Sequence, residues 1–423
     1  MLTAIEKAAN YFAERQNDNG SWTLKPEEIK HNEPLEYQKP LILTCEAIET
    51  LSLAKNPKFV PNIAKGMNYC LSQADEITQG FETLSHKIKV LRLAKTTYAS
   101  KQLYECINLL IKNQSKEGFW PHFPMKTYNL TNFYVISSLK YFDCPAVLAK
   151  HKDWLLKHVA TDKTGWGPTG EDSESQVSFT ANAILSLLNC GENPASPIIQ
   201  KARKFLESKQ FSDGGWPSSK TTVADKSTTY ATALVLQAFM LISENPFNKK
   251  IEDGIKFLLS MQLPNGGWPL VKGEKPTCYT TMHVVNTLAI YDFFKQNKNR
   301  LANLRNYVTS SQFAALLLAN EFERSILISF DSLLKNAALT SNMLGSTADS
   351  IQRRIEIIKI LSRIDMLGMA EIIDALKENP KFAHLNKRSH MTLIKNDLDY
   401  LKSLHLVFED DNYRYFIVAD ILS

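Results

Sequence analysis

The chain has no Cys-x-x-Cys pair, no apolar run approaching about 18 residues, and no basic leader ahead of an apolar core. Each absence closes off a class of protein. The six cysteines (Cys45, Cys70, Cys106, Cys144, Cys190 and Cys278) are scattered singly along 423 residues. That spacing fits neither a zinc ribbon nor a disulfide framework, and the thiols read as small buried apolar groups in a reducing compartment. Without a long apolar run no membrane-spanning helix is expected. The opening MLTAIEKAANYFAERQ is an amphipathic helical pattern containing acidic residues, so no secretory signal is read there and a cytoplasmic location is expected. Strong net charge is missing too: a formal +5 permits an anionic partner without demanding one. The 44% hydrophobic and 22% charged content is that of a soluble globular protein. At this length two or three domains are expected.

What the sequence has in quantity is a repeat. A glutamine, a glycine-bearing turn and a tryptophan six residues on recur at Gln16–Trp22, Gln114–Trp120, Gln210–Trp216 and Gln262–Trp268. Two weaker relatives fill the gaps: Trp166 behind Thr164–Gly165, and Phe81 behind Gln73 and Gly80. Together they give six units of about fifty residues over roughly residues 1–300, a scale that fixes an architecture. Within a unit, an amphipathic helix such as ASPIIQKARKFLESKQ carries apolar residues at three-to-four spacing. A turn such as SDGGWP stops it, glycine supplying the backbone conformation. A polar loop and a second helix follow, as in TTYATALVLQAFMLI, LILTCEAIETLSLA, TNFYVISSLKYF, SFTANAILSLLNC and TTMHVVNTLAIYDFF. These second helices are apolar around most of their circumference and belong inside an assembly. The glutamine is expected to satisfy orphan carbonyls at a helix end, while the indole packs on it and anchors the next unit.

KARKFLESKQFSDGGWP and GIKFLLSMQLPNGGWP resemble the glutamine–tryptophan repeats of squalene and oxidosqualene cyclases. The same toroid occurs in the β-subunits of protein prenyltransferases, and GWGPTGEDSESQVSFTANAILSLLNCGE is similar to a cyclase segment in which Gly-Trp-Gly precedes an inner helix. The resemblance covers about 300 residues. It implies a mainly α fold, a six-hairpin α/α toroid in which a ring of inner helices closes within a ring of outer ones.

The catalytic residues of those families do not carry over. Class II cyclases protonate their substrate from an Asp-x-Asp-Asp motif followed by Thr-Ala, where buried carboxyls keep one aspartic acid protonated. Setting Thr180–Ala181 on that Thr-Ala puts Gln176, Val177, Ser178 and Phe179 at the acid positions. The next unit offers Lys226, Ser227, Thr228 and Thr229. Acids do occur nearby, and Asp172, Glu174 and Asp225 are the catalytic candidates, against a reading of Glu171, Asp172 and Glu174 as a solvated loop. Prenyltransferases hold zinc through an Asp, a Cys two residues later and a distant His. Cys278 falls near the cysteine position, yet Pro276 stands where the aspartate belongs and His283 lies on the same helix as Cys278. No metal site and no cofactor are therefore expected. Residues that could meet a ligand sit at inner-helix starts: Tyr37, Tyr128, Asn129, Thr228, Tyr230, Tyr279 and His283. They suit a mostly apolar cavity with a few polar groups.

Residues 301–345 read as a helical connector ending in the small-residue linker SNMLGSTADS. From 346 onward the pattern changes. SIQRRIEIIKILSRIDMLGMAEIIDALKEN gives two short amphipathic helices separated by Gly368. RSHMTLIKNDLDYLKSLHLV gives a third with Ser389 as N-cap, and VFEDDNYRYFIVA reads as a hairpin. Three helices and a hairpin make a winged helix-turn-helix. TLIKNDLDYLKSLHLV resembles the recognition helix of DeoR-type and WYL-associated bacterial regulators, which implies that Lys387, Arg388, His390, Thr392, Lys395 and Arg414 would face DNA. Residues 346–423 hold 11 Lys/Arg against 12 Asp/Glu, few cations for phosphate neutralisation, so protein contact is the other use of this module.

On sequence grounds the reading is a non-catalytic toroid that grips a hydrophobic, isoprenoid-like ligand or a protein partner. The winged helix then couples it to DNA or another protein, as a regulator or adaptor. The alternatives are an isoprenoid-acting enzyme, a terpene cyclase or prenyltransferase with a non-standard active site, and a purely structural repeat platform.

Overall fold

The structure, a computed structural model, describes residues 2–24, 39–54, 56–73, 80–91, 97–122, 128–140, 142, 144–169, 173–218, 225–243, 245–296, 348–363, 367–385, 390–403, 407–409 and 413–416. Twelve helices make up its larger part. Six are outer: α1 (Leu2–Ala13), α3 (Val60–Ser72), α5 (Thr97–Lys112), α7 (Pro145–Lys157), α9 (Pro197–Ser208) and α11 (Lys249–Ser260). Six are inner: α2 (Pro40–Leu53), α4 (Phe81–Leu91), α6 (Asn129–Leu139), α8 (Val177–Asn189), α10 (Thr229–Ile242) and α12 (Cys278–Gln296). A two-stranded ribbon, β1 (Trp216–Pro217) with β2 (Ser227–Thr228), precedes α10.

Burial follows the sequence pattern. Outer α9 buries only Ile199, Ala202 and Leu206, the three-and-four spacing of one helix face. Inner α10 buries every residue except Tyr230. Each inner helix packs on the next, from α2 through α4, α6, α8 and α10 to α12, and α12 packs back on α2 while α1 touches both α2 and α12. The inner ring is closed, an α/α toroid.

The Gln–Trp turn is the rivet of this ring, with a division of labour that differs from the expected one. The indole, not the glutamine, serves the helix end. Trp22, Trp120, Trp216 and Trp268 donate from Nε1 to the carbonyls of Phe12, Leu110, Leu206 and Leu258, each ten residues back, at 2.6–2.7 Å. These carbonyls belong to the last outer-helix turn, and those of Phe12, Leu206 and Leu258 also accept the backbone N–H of Arg15, Lys209 and Met261. The glutamine instead bridges outward. Gln16, Gln114, Gln210 and Gln262 each donate to the glycine carbonyl of their own turn and to the first turn of the next outer helix, at Asn62, Val147, Lys250 and Ala4. The last of these joins residue 262 to residue 4 and seals the ring. The turn glycine must be glycine: Gly214 has φ +89, and a Cβ there would stand 2.5 Å from the Asp253 carbonyl oxygen.

A third contact ties each turn inward, and sequence reasoning did not anticipate it. The backbone N–H of Trp22, Trp120, Trp166, Trp216 and Trp268 donates to Thr44, Asn132, Thr180, Thr232 and Thr281, one latch residue per inner helix, at 2.8–3.0 Å. The second unit is the exception. Phe81 is not a tryptophan equivalent but the first residue of inner helix α4, and the ε-ammonium of the buried Lys87 donates to the Gln73 carbonyl.

The C-terminal residues form their own core. It comprises α13 (Ala348–Arg363), β3 (Leu367–Gly368), α14 (Met369–Leu376), α15 (Met391–Ser403), β4 (Phe408–Glu409) and β5 (Arg414–Phe416). The antiparallel sheet runs in the order β3-β5-β4. Gly368, read from sequence as a helix separator, pairs with Arg414 in the sheet while its N–H donates to Glu371. Buried Asp397 on α15 accepts from Arg353 and Arg354 of α13 at 2.5 and 2.8 Å, pinning the two helices together.

Candidate functional site

The latches set the register of everything inside the ring. On a helix, a residue two positions beyond one that faces outward points to the other side. Two residues after the latches stand Glu46, Tyr134, Asn182, Leu234 and His283. In α4, which has no latch, His86 takes the sixth place, its ring centroid 4.8 Å from that of Tyr134. One residue from each inner helix thus forms a belt at the centre of the ring, five of the six polar and every one nearly fully buried.

Helices α6 and α12 are opposite members of the ring, yet their side chains meet. Tyr134 Oη lies 3.2 Å from His283 Nε2 and donates to Tyr279 Oη at 3.1 Å. The belt therefore closes across the centre of the ring. Toward the inner-helix starts it is roofed by aromatic rings: Tyr230 against Tyr279 at 5.0 Å, and Tyr128 against Phe179 at 5.6 Å. Glu82 accepts from Thr131 at 2.7 Å on the same side. On the other side Glu49 faces Lys89 at 4.0 Å, and Gln237 donates to Thr287.

Three belt groups carry unused polar atoms. Both oxygens of Glu46, Nδ1 of His86 and both amide atoms of Asn182 have no hydrogen-bond partner. The Asn182 amide stands beside the Tyr230 hydroxyl, close enough to favour its ionised form, without closing a bond of full geometry. Each such buried orphan costs about 1–3 kcal/mol, an expense that calls for an explanation. Burial, and then the Glu49 carboxylate, hold the Glu46 carboxyl well above the usual carboxylate range despite the pull of Lys89. Burial first, then the Lys89 charge, pushes His86 well below the ordinary imidazole value and His283 down to about 3. Burial also raises Tyr134 and Tyr230. Burial thus favours the neutral form of each of these belt groups: the protonated carboxyl of Glu46 and the unprotonated imidazoles of His86 and His283.

The residues anticipated from sequence divide sharply. Tyr128, Tyr230, Tyr279 and His283 belong to this assembly. Asn129 and Thr228 serve the scaffold, although Asn129 keeps an unpartnered Oδ1. Asn129 Nδ2 donates to the Gly167 carbonyl at 2.5 Å, and Thr228 caps α10 by accepting from Ala231 N–H. Glu174 and Asp225 are exposed in the loops before α8 and α10. Tyr37 and Asp172 lie outside the described residues. Glu46, Tyr134 and Asn182 are not legible in the sequence because they lie inside apolar-looking helices, and Glu82 and His86 because α4 carries no Gln–Trp turn to mark it. Cys278 is buried and, among the described residues, no group of three or more His, Cys, Asp or Glu is arranged to hold a metal ion. No described helix is long and apolar enough to cross a membrane. In the C-terminal module Thr392, Lys395 and Arg414 are exposed, His390 is half-buried, and Lys387, Arg388 and Ser389 fall outside the described residues.

Comparison with known proteins agrees on the fold. Residues 113–317 match the family described as the prenyltransferase alpha-alpha toroid domain. The apo type II terpene cyclase MstE from Scytonema is similar at 16% identity and a TM-score of 0.51, over 68% of this chain and 96% of that one. A variant of the same enzyme, bound to geranylgeranyl dihydroxybenzoate as substrate, is similar at 15% identity and a TM-score of 0.50, with 68% and 96% covered. An alpha-amylase from Clostridium perfringens is similar at 12% identity and 0.50, with 68% and 97% covered. The toroid fold is thus shown, and a fold shared with an amylase leaves function to the site.

Proposed function

We propose that the toroid is an isoprenoid-acting enzyme of the protonation-initiated kind, with Glu46 as its acid. The observation that carries this is a fully buried carboxyl, both of its oxygens without a partner, on a belt roofed by aromatic rings, where burial favours the acid form. The Asp-x-Asp-Asp site is absent, and Glu46 on α2 supplies an acid from a different helix. Glu46 gives its proton to the bound isoprenoid. The positive charge that develops faces Tyr128, Phe179, Tyr230 and Tyr279, whose π-faces attract a cation. The neutral imidazole of His283, hydrogen-bonded to Tyr134, takes a proton from the cyclised cation, so the reaction is a net isomerisation. The family match over residues 113–317 supports an isoprenoid as the substrate class. The test is incubation of the full chain with C15–C30 polyprenyl substrates, read by mass spectrometry. Product is expected from the parent chain, with at least a ~100-fold loss in Glu46→Gln, the usual weight of a general acid. Full turnover by a folded Glu46→Gln variant, or no product across the panel, defeats the proposal.

A second reading, favoured by the C-terminal module, adds regulation. Three helices and a sheet in the order β3-β5-β4 support a winged helix-turn-helix, and Met391, Thr392, Leu393 and Lys395 expose one face of α15. DNA binding through Lys395 and Arg414 would weaken steeply between 50 and 200 mM salt. Fluorescence anisotropy with duplex DNA checks this, and no binding at low salt removes it.

A further inference from the structure

The belt also says which end of an isoprenoid it receives, an inference that rests on the isoprenoid reading above. Glu46, His86 and Asn182 sit at one register on three inner helices, each with polar atoms unused. A hydrocarbon end placed among them would leave all of these atoms desolvated and unpaired, the costliest arrangement a ligand can impose. A diphosphate end meets a different obstacle. It needs cations or a carboxylate-held metal, and among the described residues the belt offers neither: the ammonium groups described beside it are Lys87, engaged by the Gln73 carbonyl, and Lys89, which faces Glu49. Three glutamates, Glu46, Glu49 and Glu82, would border the phosphates instead.

The unused atoms are of both kinds. A protonated carboxyl and a side-chain amide can each donate and accept, and the unprotonated imidazole offers either role through its tautomer. We infer that the isoprenoid seated in this bore presents to the belt an uncharged oxygen function, a hydroxyl being the simplest, that donates to one of Glu46, His86 and Asn182 and accepts from another. Asn182 is then a specificity-determining residue for that end. The neighbouring helix α10 carries Leu234 at the same register, so a leucine has a precedent in the belt.

The experiment compares three C20 probes of matched chain length in mild detergent: geranylgeraniol, geranylgeranyl diphosphate and phytane. Binding is read on the full chain and on Asn182→Leu by intrinsic tryptophan fluorescence. The expected result is that the parent chain binds the alcohol at least tenfold more tightly than either other probe. Asn182→Leu should erase that preference while binding phytane as well as the parent does, which also certifies its fold. Equal affinity for alcohol and phytane, tightest binding of the diphosphate, or a proportional loss of all three in Asn182→Leu overturns the inference. In the first two of these outcomes the isoprenoid reading survives. If none of the three binds the parent chain, the isoprenoid reading itself falls and this inference with it.

Discussion

A carboxyl whose proton is held tightly is loaded at neutral pH but is a reluctant donor, and that tension defines what Glu46 can do. Lifting its pKa by burial and by the Glu49 charge favours the acid form and, by the same free energy, weakens its push on a carbon–carbon double bond. The residues that create this chemistry were only half legible. Tyr230, Tyr279 and His283 announce themselves as polar aromatic groups near an inner-helix start. Glu46 sits in LILTCEAIETLSLA, where two glutamates, Glu46 and Glu49, among apolar residues read as noise unless their phase is known. The phase is given by Thr44, and Thr44 is recognisable as a latch only once the Trp22 N–H is seen to donate to it. Asn182 was hidden in the same way behind Thr180. Thr228 and Asn129 erred in the opposite direction, because helix starts must also be capped and tied.

At the scale of the element, the unit was legible because its signals are local. The stop of an outer helix, the glycine of the turn and the all-round apolar inner helix each follow from propensity and period. The roles of glutamine and tryptophan were exchanged because both are donors within reach of carbonyls, and only geometry decides which carbonyl each finds. The latch was illegible because its two ends are separated by 12 to 22 residues of variable loop. Its worth can be measured. Thr232 Oγ1 accepts the buried N–H of Trp216 at 2.9 Å, and valine has nearly the same shape without the acceptor. Thr232→Val leaves that N–H orphaned inside the ring and should cost about 1–3 kcal/mol. Urea denaturation should show the lowered midpoint with an unchanged slope, since the surface exposed on unfolding is the same. A midpoint within error of the parent would mean that the turn is held by the indole and the glutamine alone.

The closed ring buries several of its titratable groups in a setting that favours their neutral forms, and this makes the pH dependence of the whole molecule a sum of opposing signs. His86, His151 and His283 are fully buried with lowered pKa values, His151 held down to about 4 chiefly by burial. The unfolded chain protonates these imidazoles near pH 6.5, while the folded one does not. Their contribution to stability is therefore complete above pH 6.5 and is lost as the pH falls through the folded values. Glu46 works the other way: the folded state keeps a proton that the unfolded chain sheds above about pH 4.5, so its contribution is complete below that point and is lost as the pH rises. Between pH 6.5 and 4.5 the unfolded state can gain up to three protons against one retained at Glu46, and acidification destabilises the toroid. All six tryptophans precede residue 300, so urea titrations followed by tryptophan fluorescence report on the toroid alone. One proton corresponds to about 1.36 kcal/mol per pH unit. His151→Gln, which preserves a donor for the Gly118 carbonyl and cannot titrate, should flatten the acid limb by up to one proton. Glu46→Gln should steepen the same limb by up to one proton and raise stability at pH 8. Two substitutions that bend one curve in opposite directions distinguish a neutral bore from general acid lability, and parallel slopes in all three proteins would show that these side chains do not change ionisation state on unfolding.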